Sequence, residues 1–205
     1  MLDVGPYYIT ELVNLLGPVS RVAAQTTMGN ATRTVSSEPL KGSIIQVEVP
    51  TTFNGVLSFS NGASVTITTS WDIWKHRHVH FQIYGSEGSM LVPDPNFFGG
   101  EPMLTERDSD WIPLDISAHP FGKPNRRTNS GAHVADYRIV GLLEMAAAIR
   151  DNRPHRASGE LARHVLEVLC AFERSSTEGR HVMIDTSCER PEPVPLGEGE
   201  EVFLS

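Results

Sequence analysis

Cysteine is nearly absent from this sequence: Cys170 and Cys188 are the only two, too few for a disulfide framework. Cys170 falls in an apolar helical run, where a reduced, buried thiol is expected, and a reducing cytoplasm is the compartment that fits. No run of Lys or Arg interrupts an acidic balance of 25 Asp and Glu against 17 Lys and Arg, so neither a nucleic acid backbone nor an anionic membrane is an expected partner. No stretch approaches the roughly 18 apolar residues of a membrane span, and no basic, then apolar, leader opens the chain. Nor does any G-x-G-x-x-G followed by a helical pattern occur, so the chain offers no pyrophosphate cradle for a dinucleotide.

What remains is a length of 205 residues, 40% of them hydrophobic, enough to bury a core. Tyr8, Leu12, Leu15 and Leu16 recur at helical spacing over Asp3 to Leu16, and Gly17-Pro18 stops the helix. A helix that begins almost at the first residue, with no strand ahead of it, suggests truncation. From Ser20 to about Asp94 the period changes to two. Val65, Ile67, Thr69 and Trp71 alternate with Ser64, Thr66, Thr68 and Ser70, and Asn61-Gly62 marks a hairpin. Val79, Phe81 and Ile83 form a second alternating run, with a turn at Ser86-Glu87-Gly88.

Residues 95–131 read as a long surface excursion, apart from a short strand at Trp111 to Ile116. Helices are expected over Val134 to Arg150 and over Gly159 to Arg174, the second with an apolar stripe of Leu161, Val165, Val168, Leu169 and Phe172 and with Gly179 beyond its end. A short strand follows at His181 to Ile184, then a Pro- and Gly-rich acidic tail over 185–205, expected to be loosely held. The fold class is therefore α+β, a predominantly antiparallel open sheet of about six strands. Helices cover one face, and the other, rich in Ser and Thr, is left for water or a second subunit.

Asp3 and Tyr7 lie four residues apart, so on a helix they project from one face near the N-terminal end. A carboxylate beside a phenol suits proton transfer; the plainer reading is that Asp3 caps the helix and Tyr7 packs. His76, His78 and His80 form H-x-H-x-H, which on a strand places three imidazoles on one side about 6.8 Å apart. A metal site there needs help from another element; a polar sheet face at a subunit contact is the simpler account, and His76 is also placed to reach a pocket edge. Trp74 is a large aromatic at a strand end, able to stack on a sugar or simply to pack. His164 and His181 lie among apolar neighbours and read as structural.

The opening Asp3-Val4-Gly5-Pro6-Tyr7-Tyr8, with the helix closing at Leu16-Gly17-Pro18-Val19, resembles the C-terminal domain of the glucose-fructose oxidoreductase and inositol dehydrogenase (Gfo/Idh/MocA) family. The resemblance continues through Asp72-Ile73-Trp74, the hairpin Ile83 to Ser89 with Pro93-Asp94-Pro95-Asn96, and the helix pair around Ala146 to Ile149 and Arg153 to Ala162. It implies a dihydrodipicolinate-reductase-like domain over residues 1–184 that supplies the substrate pocket and pairs subunits into a homo-oligomer.

The resemblance also implies a preceding Rossmann half, absent from this sequence, that binds NAD or NADP. By the same resemblance Asp3 matches the family aspartate near the reacting carbon. Tyr7 matches the position four residues later, where many members have histidine and some have tyrosine. Tyr7 is then the acid/base candidate, helped by a lysine from the Rossmann half, because phenols in general hold their proton to about pH 10. Trp74 and His76 are the substrate-binding candidates, and no residue is assigned to cofactor or metal. The implied reaction is oxidation of a secondary alcohol on a sugar or polyol, or its reverse, with this chain inactive alone. The alternative is a stand-alone oligomerisation or ligand-binding module without redox chemistry.

Overall fold

The computed structural model describes residues 1–128 and 131–194. They form two compact units, Met1–His76 with Gly159–Arg190, and Arg77–Ser158 with the residues from Pro191 onward. In chain order the first segment contains α1 (Gly5–Leu16), β1 (Val19–Thr27), β2 (Thr32–Thr34), β3 (Ile44–Gln46), β4 (Thr52–Phe59) and β5 (Ser64–Ser70). The second contains β6 (Phe81–Tyr84), β7 (Gly88–Val92), β8 (Met103–Glu106), β9 (Ile112–Pro113), β10 (Arg126–Arg127), β11 (His133–Val134) and α2 (Val140–Arg150). The chain then contributes α3 (Gly159–Glu178) and β12 (Val182–Met183) to the first unit.

In the first unit an antiparallel sheet runs in the order β12-β1-β4-β5, and β2 with β3 forms a separate two-stranded ribbon. The turn at Asn61-Gly62 joins β4 to β5 as the sequence predicts. Gly62 adopts φ +92°, and the Asn61 side chain accepts the Ala63 N–H at 2.9 Å. Val19, Val22, Phe53, Leu57, Phe59 and Val182 point to the buried face, where they meet the α3 stripe of Leu161, Val165, Val168, Leu169 and Phe172. Gly55 has no side chain because Phe172 lies over it: an added Cβ would fall 2.5 Å from the ring. α1 packs on α3 in turn, with Gly5 against Leu169.

β12 pairs with only Arg21 and Val22 of β1, so the rest of that edge is met by side chains of α3. His164 Nε2 accepts the Val19 N–H at 3.0 Å, and the hydroxyls of Ser175 and Ser176 accept the N–H groups of Ala24 and Thr26, each at 2.9 Å. His164 is fully buried, as expected of a structural histidine, and its Nδ1 lies 3.1 Å from the Thr186 carbonyl. Glu167 accepts the N–H groups of Asp185 and Thr186, so the start of the acidic stretch is held on α3.

The second unit has its own antiparallel sheet, β6-β7-β8-β9, and the ribbon β10-β11. Its core joins Phe121, Val140 and Ala147 with Tyr137, Leu143 and Val194. The strands thus divide between two four-stranded sheets, where the sequence suggests one sheet of about six. β8, inside the expected surface excursion, is one reason. α2 begins at Val140 and not at Val134, because His133 and Val134 pair with Arg127 and Arg126. Asp136 is pinned just beyond by Arg126 at 2.9 Å and Arg138 at 3.3 Å. Cys170 is exposed on α3, not buried, since it falls outside the buried stripe of that helix, and His181 is also exposed. The expected tail is described as far as Val194; residues 195–205 lie outside the described residues.

Glu144 on α2 is buried and accepts from Arg153 Nη1 at 2.7 Å, Arg156 Nη1 at 3.0 Å and the Arg156 N–H at 3.0 Å. Arg156 reaches on to the carbonyls of Glu192 and Pro193. Removing one partner of a buried ion pair costs about 3–5 kcal/mol. Glu144→Ala is therefore expected to lower stability by roughly that amount in urea titration; a loss below about 1 kcal/mol would show that the pair contributes little.

Burial holds His164 below its ordinary value of 6.5, against the opposing hydrogen bond to Thr186 and the charge of Glu167. The folded chain then binds this proton less readily than the unfolded chain, so its contribution is complete above pH 6.5 and is lost as pH falls through and below that value. Melting temperature measured from pH 8 to pH 5 is expected to drop on the acid side. His164→Gln removes this part of the pH dependence, and an unchanged slope in that variant would rule His164 out as its source.

Candidate functional site

α1 opens with a turn that the sequence counts as helix. The Gly5 N–H donates to the Met1 carbonyl at 2.9 Å, Val4 occupies the cap position, and no side chain caps the first N–H groups. Asp3 therefore stands in the turn just ahead of the helix and does not cap it, and its side chain is exposed. Pro6 fits because a proline in the first turn removes an N–H that has no intrahelical partner. Tyr7 follows on the first turn of α1 and is 42% exposed, so it is not packed into the core.

One turn beyond Tyr7 is Glu11, which sequence reasoning missed. It is half-buried, and that burial pushes its carboxyl above the ordinary value of 4.5, offset in part by a hydrogen bond from Asn14. The 3–4 spacing that pairs Asp3 with Tyr7 also aligns Tyr7 with Glu11 and Glu11 with Asn14. Asn14 Oδ1 is buried without a hydrogen-bond partner.

The segment ahead of α1 also reaches the sheet. Thr69 on β5 donates its hydroxyl to Met1 Sδ at 3.4 Å, which sets the Asp3 turn beside the end of β5. From that end the chain runs into Trp71, Asp72, Ile73 and Trp74. Trp74 is 98% exposed, and His76 is exposed as well. The H-x-H-x-H run is not on a strand: residues 71–80 are irregular, so the imidazoles do not alternate along a sheet face. Among the described residues no group of three or more His, Cys, Asp or Glu is placed to hold a metal ion. In the second unit His80 Nε2 lies 3.6 Å from Asp94 Oδ2.

Asp72 is the most heavily bonded side chain in this region, and sequence reasoning included it only as part of a motif. Its Oδ2 accepts the hydroxyls of Thr51 at 2.6 Å and Thr52 at 2.7 Å, and its Oδ1 accepts Arg33 Nη2 at 2.7 Å. The hydroxyls of Thr51 and Thr52 hold the carboxyl below its ordinary value of 3.8; partial burial opposes them, and Arg33 and the Gly29 N–H assist. Gly29 must lack a side chain here, since an added Cβ would fall 2.6 Å from Asp72 Cγ. No local pattern announces this junction, because Asp72 is separated from Arg33, Thr51 and Thr52 by 39, 21 and 20 residues.

The face of the first sheet turned away from α3 carries Arg21, Ala23, Gln25, Asn54, Val56, Ser58, Thr66 and Thr68 on adjacent strands. Thr68 bonds to Asn54 at 3.0 Å and Arg21 to Ser58 at 3.1 Å. None of the described helices is long and apolar enough to cross a membrane.

Solved structures share this fold. The apo form of levoglucosan dehydrogenase aligns with a TM-score of 0.71 at 18% identity, covering 91% of this chain and 51% of that one. The same enzyme in complex with NADH and L-sorbose aligns at 0.68 and 18% identity, covering 90% and 50%. An NAD binding oxidoreductase from Klebsiella pneumoniae aligns at 0.66 and 20% identity, again covering 90% and 50%. The chain thus spans about half the length of the solved structures it matches. No curated protein matches it in sequence. Residues 1–91, which include α1, the first sheet through β5 and the Asp72 junction, match the family described as the GFO/IDH/MocA C-terminal domain. The expected resemblance therefore holds over residues 1–91, which are similar to the GFO/IDH/MocA C-terminal domain, and the chain shares its fold with about half of each of these solved oxidoreductases.

Proposed function

We propose that this domain is the substrate-side and subunit-pairing part of an NAD- or NADP-dependent oxidoreductase that acts on a secondary alcohol of a sugar or polyol. The observation that carries the reading is the start of α1 inside the family match: Tyr7 is exposed one turn from an uncapped Asp3. NADH and L-sorbose in one solved relative support the cofactor and substrate classes.

No strand, Gly-rich turn and helix follow one another among the described residues, so this chain does not furnish a pyrophosphate cradle and its residues do not fit the dinucleotide alone. When held by a Rossmann half, the nicotinamide would supply or take the hydride. Tyr7 Oη gives its proton to the carbonyl oxygen in reduction, or takes the hydroxyl proton in oxidation. Asp3 fixes the reacting carbon's hydroxyl beside it. Trp74 and His76 contact the rest of the ring. The chain alone is inactive in this reading, and its compartment is the cytoplasm.

In a polypeptide joining this domain to its nucleotide-binding half, Tyr7→Phe is expected to lower kcat by about 100- to 10,000-fold, the range of lost general acid–base catalysis. A Tyr7→Phe enzyme within threefold of the wild type would remove Tyr7 from the chemistry.

The exposed sheet face is proposed as the homo-oligomer contact. Its small and β-branched side chains allow two sheets to approach closely, and little charge needs to be stripped of water. Val56 stands at its centre between Ala23 and Thr66 and is 42% exposed. Val56→Lys is expected to weaken self-association at least about tenfold in sedimentation velocity, since two lysines would be buried face to face. A wild-type chain that sediments as a monomer, or a variant that associates as the wild type does, would rule out this face.

A further inference from the structure

We propose that Asp72 is a positioning residue, which fixes the turn bearing Trp74 so that the indole is presented to the apolar C–H face of a sugar or polyol ring. The inference rests on the reading of Trp74 as a substrate contact and adds the residue that orients it.

The bonding of Asp72 decides its role. An ionised carboxylate has about four lone-pair sites. Thr51, Thr52 and Arg33 fill three of them, and the Gly29 N–H, which donates to Thr51 Oγ1 at 3.1 Å, closes over the same carboxylate. With most of its bonding capacity turned to the protein, Asp72 acts through the backbone it holds. That backbone is held at Trp71 and at Asp72 itself. The Asp72 N–H donates to Ser70 Oγ at 3.0 Å, and Ser70 Oγ lies 2.6 Å from Thr52 Oγ1. The Trp71 N–H donates to the Thr51 carbonyl at 2.9 Å, and the Trp71 carbonyl accepts Arg33 Nη2 at 2.9 Å.

Four segments meet at this one side chain: the end of β1, the ribbon strand β2, the start of β4 and the end of β5. A junction built only to stabilise the sheet would turn the neighbouring aromatic inward, where its burial adds about 1.5–3 kcal/mol or more. Here the ring two residues on is 98% exposed. A rigid base under an exposed indole reduces the ordering cost when a ligand stacks on it.

The test uses the full chain with L-sorbose as probe, followed by indole fluorescence and ligand-observed NMR, at a temperature where circular dichroism shows every variant folded. The wild type is expected to give a saturable response and Trp74→Ala none. Asp72→Asn should weaken binding about tenfold or more, as a misplaced contact does. Glu144→Ala, which removes a buried ion pair of the second unit, should leave the affinity unchanged and so separates positioning from general loss of stability. If Asp72→Asn does not fold, Arg33→Gln, which removes one of the three side-chain donors and the tie to Trp71, decides in its place with an expected loss of about threefold.

Wild-type affinity in Asp72→Asn, or in Arg33→Gln where that variant decides, together with loss in Trp74→Ala, would overturn the positioning role and leave the Trp74 reading standing. Affinity lost equally in Glu144→Ala would also overturn it. No binding by the wild type, or unchanged binding in Trp74→Ala, would overturn the Trp74 reading and the inference with it.

Discussion

The first unit depends on how the outer edge of β1 is satisfied. A buried N–H left without a partner costs about 1–3 kcal/mol, and β12 is too short to serve more than the middle of the strand. α3 supplies the rest through His164, Ser175 and Ser176, which take the N–H groups of Val19, Ala24 and Thr26. These bonds fix where α3 lies along the sheet, which apolar packing alone would leave free to slide. They also blunt an edge that would otherwise pair with another chain. Since α1 packs on α3 through Gly5 and Leu169, the placement of Asp3 and Tyr7 is set by hydrogen bonds that neither residue makes.

With one edge of β1 and one face of the sheet closed by α3, chemistry is left to the opposite face and to the ends of the strands. The two differ in character. The open face is a regular array of mostly small or polar side chains, with Arg21 its one charged residue among those named, and with a few internal bonds, a surface suited to pairing. The end of β5 is irregular and polar. There a carboxylate, a guanidinium and several hydroxyls converge, and the N-terminal turn arrives through Met1 and Thr69. Irregular backbone is acceptable at that end because side chains satisfy it, and a satisfied irregular segment can hold a group out toward a ligand.

The features legible in the sequence were those set by neighbours in the chain. Gly17 and Gly179 mark helix ends and adopt positive φ, Asn61-Gly62 makes its hairpin, and the stripe of α3 is the buried one. Periodicity tells which side of a strand faces the core, but not which strand it joins. The division of the strands between two sheets therefore stayed hidden. β8 is four residues long and shows no alternation to set it apart from a loop. The histidine run failed for a related reason: it alternates on paper, yet the chain leaves the sheet once Asp72 is captured, and an alternating pattern has no geometric meaning in irregular backbone. Asp72 itself was unreadable as a junction because all three of its side-chain donors are distant in sequence. Asp3 and Tyr7 were found by their spacing, but their weight came from the family pattern around them.

The acid–base assignment has a further electrostatic consequence. Tyr7 is followed at one turn by Glu11 and preceded at the same distance by Asp3, and α1 contains no Lys, Arg or His. A cation beside this phenol comes, on the proposed reading, from outside α1. On the proposed reading the missing charge is the lysine of the nucleotide-binding half, and proton transfer then depends on both halves as much as hydride transfer does. On that reading the proton chemistry of Tyr7, on a helix with no basic residue, awaits the second domain as hydride transfer does.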